Sequence, residues 1–478
     1  MAEERFYLEL SEDGGGSHKF YEVIVSDKTL SIRFGRIGDK GQTQVKDFPS
    51  HDKALAEATK KLGEKRKKGY AEAVMGERTK RSVTRREIVS QVAAKSTTKA
   101  PVIWRFTPSS SRAFGIFIDE ARCWMGNEAG MIYSLDHDGK VLDQFKLPDG
   151  VKCIVADEDW LYAGCDDGKV YDLGGKAPRV AYEISDDVDI YWIDIKDGVL
   201  GVSDANGNVA VFNHEDESQW QKKSTGTGGW MIRCDELGVF HGHSDGITMY
   251  DWEDGNKLWH KKTDGSVLFG WQEESTVFAA TTSNKVQRFT KRGEQPKSYA
   301  CDAAVFSCAA AEDGKYVFAG DNCSSVYCFD GDGNRLWKLN TGCGSAYSMQ
   351  FYKGRLYVVT TDGSFASIDA SEAAIEAAKA GTVPVAKAIK APKPEAAATP
   401  ETALETTRTA GEGVIVECYS VGNKLRIRPV SEGYNKKWAV QFPKDLREAG
   451  AKYVVDELRE SGSGGFYRAH GNIRRLAN

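Results

Sequence analysis

A small residue that closes one apolar strand and opens a polar turn returns seven times along the middle of this chain. The positions are Gly126, Gly164, Ser203, Gly242, Ala280, Gly320 and Thr360, spaced 38, 39, 39, 38, 40 and 40 residues apart. A period near 40 is what four short strands and their turns occupy, and one such unit cannot bury its faces alone. One unit reads in full as a strand Lys315–Gly320, a turn to Ser325, a strand Val326–Asp330, a turn Gly331–Asn334 and a strand Arg335–Leu339. Alternation of apolar and polar residues between Gly, Asp and Asn turns predicts antiparallel sheets. Seven units predict a seven-bladed β-propeller across residues 101–370.

The seventh unit ends at Ile368-Asp369 without an outer Leu-Trp strand, whereas the chain enters the array with Pro101-Val-Ile-Trp104-Arg-Phe106. That segment resembles the outer strands around Trp259 and Trp337. It is expected to complete the last blade and so remove the edges an open array leaves. Outer-strand Trp104, Trp220, Trp259 and Trp337 are expected to dock neighbouring blades.

The expected fold is mainly β and multidomain. A small α+β domain occupies residues 1–75, a basic linker 76–100, the propeller 101–370, an Ala/Pro/Lys-rich linker 371–410 and a small, mostly β domain 411–478. The net charge of -5 is unevenly spread: +9 over residues 60–99, -15 over 101–370 and +4 over 411–478. A basic head on an acidic body directs any nucleic acid to the N-terminal end. Alternatively, its Lys and Arg residues only solubilise a linker. No apolar run reaches a membrane span and the start, Met1-Ala-Glu-Glu-Arg-Phe6, lacks a signal-peptide core, which sets a cytoplasmic expectation. The 10 cysteines show no metal-ligand spacing and read as buried reduced thiols.

In the N-terminal module three strands precede Phe34-Gly35-Arg36-Ile37-Gly38 and Lys40-Gly41-Gln42. A helix capped by Ser50 follows, with Ala54, Leu55, Ala58 and Leu62 on one face and Lys53, Lys60, Lys61, Lys65 and Lys68 on the other. These motifs, with Lys67-Lys68-Gly69-Tyr70, resemble the WGR domain over about 70 residues. In the DNA-dependent poly(ADP-ribose) polymerases that domain packs near a DNA break. The resemblance implies a nucleic-acid-binding set of Phe34, Arg36, Lys40, Gln42, Lys61, Lys65 and Lys68. Phe34 stands where the motif has Trp, so it stacks without an indole N–H to donate. No polymerase domain follows in this chain, and that activity does not carry over. Local packing of Phe34, nucleic-acid contact and protein contact remain open.

The repeat unit also resembles the PQQ-like repeat, whose dehydrogenases hold a quinone and a metal in a central funnel. Here Asp330-Gly-Asp332-Gly-Asn334 starts like a calcium loop, but its twelfth position is Thr341 rather than Glu. Neither cofactor nor metal is expected. At the start of each innermost strand stand Phe114, Lys152, Tyr191, Trp230, Phe269, Phe306 and Tyr347. Side chains aimed at the axis would form an aromatic mouth for a protein or peptide partner, and side chains aimed sideways would wedge between blades. The C-terminal segment alternates Lys424, Arg426 and Arg428 with Leu425 and Ile427, giving a basic face that is either solvated or a second nucleic-acid contact.

No nucleophile, paired acid/base set or metal constellation stands out. The expectation is a non-enzymatic adaptor with nucleic acid at the N-terminal domain and a protein or peptide at the propeller. The alternatives are a purely protein-binding scaffold and an enzyme whose site assembles from distant loops.

Overall fold

The computed structural model describes residues 3–11, 18–36, 41–68, 70–73, 99–158, 160–174, 178–185, 190–380, 387–389, 413–462 and 464–476. Lys40, the Arg36 side chain and most of both linkers lie outside the described residues.

The repeat folds as seven antiparallel groups of four strands among the described residues. Sheets 1 to 6 run in chain order within residues 113–146, 151–183, 190–223, 231–261, 267–300 and 305–340. Sheet 7 takes three strands from residues 346–369 and its outer strand from Val102–Phe106. That outer strand pairs antiparallel with Phe365–Asp369, setting Phe106 opposite Phe365 and Trp104 opposite Ser367. The inner strand of each sheet packs on that of the next, and Ala346–Tyr352 of sheet 7 packs on Ala113–Ile118 of sheet 1.

The small residue of the period has a steric cause. A Cβ on Gly126 would stand 2.4 Å from Cγ1 of Val151 in the next sheet, one on Gly242 2.6 Å from Cγ1 of Val267, and one on Gly320 2.8 Å from Ala346. Inner strands approach their neighbours through these gaps. The outer tryptophans tie the same neighbours together. The indole N–H of Trp220 donates to the Trp252 carbonyl at 2.8 Å, Trp259 to Lys291 at 3.0 Å, and Trp104 of sheet 7 to His137 of sheet 1 at 2.8 Å. Trp337 is buried with its N–H unpartnered.

The N-terminal domain is a four-stranded antiparallel sheet in the order Gln42–Asp47, Thr29–Arg36, His18–Ser26, Glu3–Ser11, covered by the helix His51–Arg66. Ser50 caps the helix by accepting from the Lys53 N–H at 3.4 Å, and Ala54, Ala58 and Leu62 form its buried stripe. A strand absent from the sequence reading, Ala71–Ala73, pairs with Glu3–Ser11 on one side. On its other side it runs parallel to Val141–Lys146, with Phe145 opposite Glu72. The N-terminal sheet and sheet 1 are therefore one nine-stranded sheet. The separate tethered head expected from the linker composition is instead joined to the body through backbone hydrogen bonds.

Directly after the repeat the chain forms a short helix, Glu372–Lys379, capped by Ser371. Lys387–Ile389, in a stretch read as extended linker, adds a parallel fifth strand beside Val102–Phe106. The C-terminal domain is a five-stranded sheet with its own apolar core around Val416, Ile427, Phe442 and Val455. After Pro443 the chain makes a single 3-10 turn, Lys444–Leu446.

Candidate functional site

Two places gather the residues singled out by the sequence. On the N-terminal domain, Phe34 pairs across strands with Gln42. Its half-buried ring lies 6.2 Å from that of Tyr21. The Lys65 ammonium sits over the same Tyr21 ring at 4.4 Å and over Tyr70 at 5.2 Å. Burial first, then the nearby Lys68 and Lys19, hold its pKa below the usual lysine value. Lys61 meets Glu64 at 3.5 Å and Glu57 at 4.0 Å. Gln42 and Lys68 are exposed. Phe34 and Lys65 thus both pack against the buried Tyr21, which the sequence did not mark, and Lys65 also covers the buried Tyr70.

The second group lies buried where the inner strands meet. In six inner strands the ladder skips one residue, between Ala113 and Gly115, Val151 and Cys153, Ile190 and Trp192, Val267 and Phe269, Val305 and Ser307, and Ala346 and Ser348. The residues left out of the ladder are Phe114, Lys152, Tyr191, Leu268, Phe306 and Tyr347. A bulge turns its extra side chain away from the alternation of the strand. In sheet 4, Trp230 directly precedes the strand Met231–Asp235.

Phe114, Tyr191, Trp230, Leu268, Phe306 and Tyr347 form one apolar cluster. Tyr191 and Trp230 stack at 3.7 Å and Phe114 and Tyr347 at 4.4 Å. Lys152 completes the collar, its ammonium 5.7 Å from the Tyr191 ring, 5.5 Å from Trp230 and 3.2 Å from the Asp166 carboxylate. All seven collar residues are 7% exposed or less. Phe269 does not join them. It stands one residue past the bulge, opposite Ala280, and packs edge-on to Trp192 at 5.3 Å.

The basic C-terminal strand faces the propeller. Arg426 pairs with Glu215 at 3.1 Å and Glu217 at 3.0 Å, Lys424 with Glu217 at 2.9 Å, and Lys444 with Asp216 at 2.7 Å. Beneath them the buried Arg468 is ion-paired with Asp157. Gln441 bridges the Tyr162 and Tyr182 hydroxyls at 3.3 and 3.0 Å. Nine of the ten cysteines are buried and all ten are free thiols. Among the described residues no helix is long and apolar enough to cross a membrane.

Residues 4–77 match the WGR domain family. Residues 243–377 match the PQQ-like repeat family described as outer membrane protein assembly factor BamB. Two Escherichia coli K12 proteins are similar over 56 residues, 12% of this chain. They are "Uncharacterized protein YfeS", 36% identical over 23% of its own length, and "Protein YehF", 43% identical over 20% of its length. The match therefore spans about a fifth of either relative.

Among solved structures, the WD40 β-propeller domain of Doa1 superimposes with a TM-score of 0.50 at 10% identity. It covers 58% of this chain and 99% of that one. The computationally designed Ika8 protein superimposes with a TM-score of 0.47 at 13% identity, over 56% of this chain and 99% of its own. The chain thus combines a WGR domain with a propeller-like fold built on PQQ-like repeats.

Proposed function

We propose that this chain is a non-enzymatic adaptor in which the WGR domain contacts nucleic acid, DNA ends included, and a closed seven-bladed propeller presents a surface to a protein partner. The strand Ala71–Ala73 carries this reading, because it joins the two modules in one sheet. A ligand held by the WGR domain is then held at a fixed place relative to the wheel. Seven blades are supported by the seven four-stranded groups. Ring closure is supported by the pairing of Phe106 with Phe365 and by the Trp104 bond to His137.

The nucleic-acid surface in this reading runs from the exposed Gln42 across the half-buried Phe34 ring to Lys65 and Lys68, with Tyr21 buried beneath Phe34 and Lys65. The partially covered Phe34 ring offers an edge for stacking on a base or sugar. Partner contact at the propeller falls to its exposed strands, such as Lys257–Lys261 with Leu258 51% exposed, because the collar residues have little surface to offer.

The test is fluorescence anisotropy of labelled blunt, nicked and single-stranded DNA at low salt, with the full chain and with Gln42→Ala/Lys68→Glu. Binding should weaken several-fold in the variant and fall steeply with added salt, since phosphate contacts release counterions. Absence of binding at about 50 mM salt sinks the nucleic-acid half and leaves the purely protein-binding scaffold.

A further inference from the structure

The outer strands of sheets 1 to 4, 6 and 7 each carry one residue that the ladder leaves out. In that order they are Leu142, Ala181, Gln219, Leu258, Leu336 and Ile103. A bulge of this kind twists an edge strand and guards it against pairing with another chain. Here it leaves the edge beyond it open. On sheet 1, Ala71–Ala73 runs parallel to Phe145 and Lys146, past Leu142. On sheet 7, Lys387–Ile389 runs parallel to Trp104, Arg105 and Phe106, directly past Ile103. On sheet 6, Lys99 makes a parallel bridge to Asn340, past Leu336. Three outer edges thus take an extended segment from elsewhere in the chain, each time in parallel and each time after the bulge.

Sheet 4 has the same edge without an occupant. Lys257–Lys261 is its last strand, and among the described residues nothing pairs with its outer side. Leu258 precedes Trp259 as Ile103 precedes Trp104, so Trp259, His260 and Lys261 stand where sheet 7 receives Lys387–Ile389. At 51% exposed, Leu258 is also the most exposed large apolar side chain among the described residues of the repeat. The remaining edges differ. Sheets 2 and 3 present Ala181 and Gln219 at this position and lie against the C-terminal domain, where Lys444 meets Glu183 and Asp216. The outer strand of sheet 5 has no bulge.

Charge selects the kind of strand that fits. Lys257, Lys261 and Lys262 are exposed on an otherwise acidic wheel. Asp245 is shared by Lys262 at 4.0 Å and His260 at 3.4 Å, while Lys257 and Lys261 have no ion-pair partner among the described residues. An incoming segment that carries carboxylates satisfies them, and one that carries lysines is repelled.

We infer, on the reading of the propeller as a partner surface, that the outer strand of sheet 4 binds an extended acidic segment of a partner protein as a parallel fifth strand. Its backbone pairs with residues 259–261, its carboxylates meet the lysines on either side of Trp259, and its apolar side chains cover Leu258. In such strand addition the main-chain bonds supply affinity and the side chains supply selectivity.

The test is isothermal titration of the full chain with a peptide of alternating Glu and Val, at about 0.15 M ionic strength. One control alternates Lys and Val. The other is the Glu and Val peptide with an N-methylated backbone, which keeps every side chain but has no N–H to donate to a ladder. The expected result is saturable binding with a Kd of roughly 1 to 100 μM, and both controls about tenfold weaker or worse. Leu258→Glu/Lys261→Glu should lose affinity by the same margin, whereas Gln219→Glu, at the matching bulge of sheet 3, should not. Hydrogen exchange should slow at residues 257–262 when the peptide binds and stay unchanged in Ser218–Lys223. The peptide comparison and the exchange pattern on the unaltered chain stand even where a variant fails to fold. Equal affinity for the N-methylated peptide, no protection at residues 257–262, or no saturation by about 1 mM peptide overturns the inference. A single-stranded oligonucleotide whose binding falls in Leu258→Glu/Lys261→Glu overturns it too, by making these lysines a phosphate contact. Failure here leaves the adaptor reading standing when the DNA titration succeeds, with its partner elsewhere on the rim.

Discussion

Arg468 and Asp157 are a buried pair, 1% and 3% exposed, at the seat of the C-terminal domain on the propeller. Asp157 also accepts the Asp197 and Gly198 backbone N–H groups at 2.9 and 2.6 Å. Removing the guanidinium leaves the buried carboxyl group without its ion-pair partner. Arg468→Ala should lower stability by about 3–5 kcal/mol, read by urea unfolding. The double variant Asp157→Asn/Arg468→Met should recover part of the loss. Nearby, a Cβ on Gly198, whose φ is +71°, would approach Phe466 Cζ to 2.6 Å. Position 198 is therefore closed to other residues by both backbone and neighbour. None of this was legible in the sequence, because Arg468 and Asp157 are 311 residues apart and neither belongs to a motif.

Within single elements, the strand Gly238–His243 carries two buried imidazoles. Burial, then the neighbouring His260, presses His243 down to about 4, while Asp245 raises it, and burial holds His241 well below its usual value. Around them Thr248 bonds both His243 and His260 at 2.9 Å, and Thr225 reaches His243 at 3.2 Å. Between pH 6.5 and about 4 the unfolded chain takes up protons that the folded strand refuses. The stability these histidines allow is complete above pH 6.5 and is lost as pH falls. Urea midpoints measured from pH 7.5 to 4.5 should drop, and the drop should be shallower in His243→Gln. Trp259→Phe removes the indole bond to Lys291 and should cost about 1 kcal/mol in the same assay, with no change in pH dependence.

The repeat was legible because a small residue every 38 to 40 positions answers the same steric demand in each sheet. The collar was legible to within one residue at sheet 5. A bulge changes which residue faces the axis without changing the apolar pattern, so Leu268 and Phe269 could not be told apart. Ala71–Ala73 was hidden for a different reason. Three residues of weak strand preference become a strand only because a partner some 70 residues away in sequence offers an edge.

For the whole molecule, the nine-stranded sheet joins the N-terminal domain to the first sheet of the repeat. Deleting residues 1–73 uncovers the edge of Val141–Lys146, a row of unpaired backbone groups open to another chain. The truncated protein should self-associate, seen as a concentration-dependent mass by light scattering, whereas the full chain should not do so through this edge. Sheet 3 meets the basic C-terminal strand through Glu215 and Glu217, and Lys444 reaches Asp216 of sheet 3 and Glu183 of sheet 2, so part of the charge asymmetry of the sequence is spent within the molecule at that end. At the other end Lys68 and Gln42 remain exposed. The bulges have a further consequence. A side chain that an inner-strand bulge sets outside the cross-strand ladder answers to no partner in its own sheet but to the collar residue it touches in another, as Tyr191 does to Trp230 and Phe114 to Tyr347, so a change of size at one of these positions calls for a matching change in a different repeat.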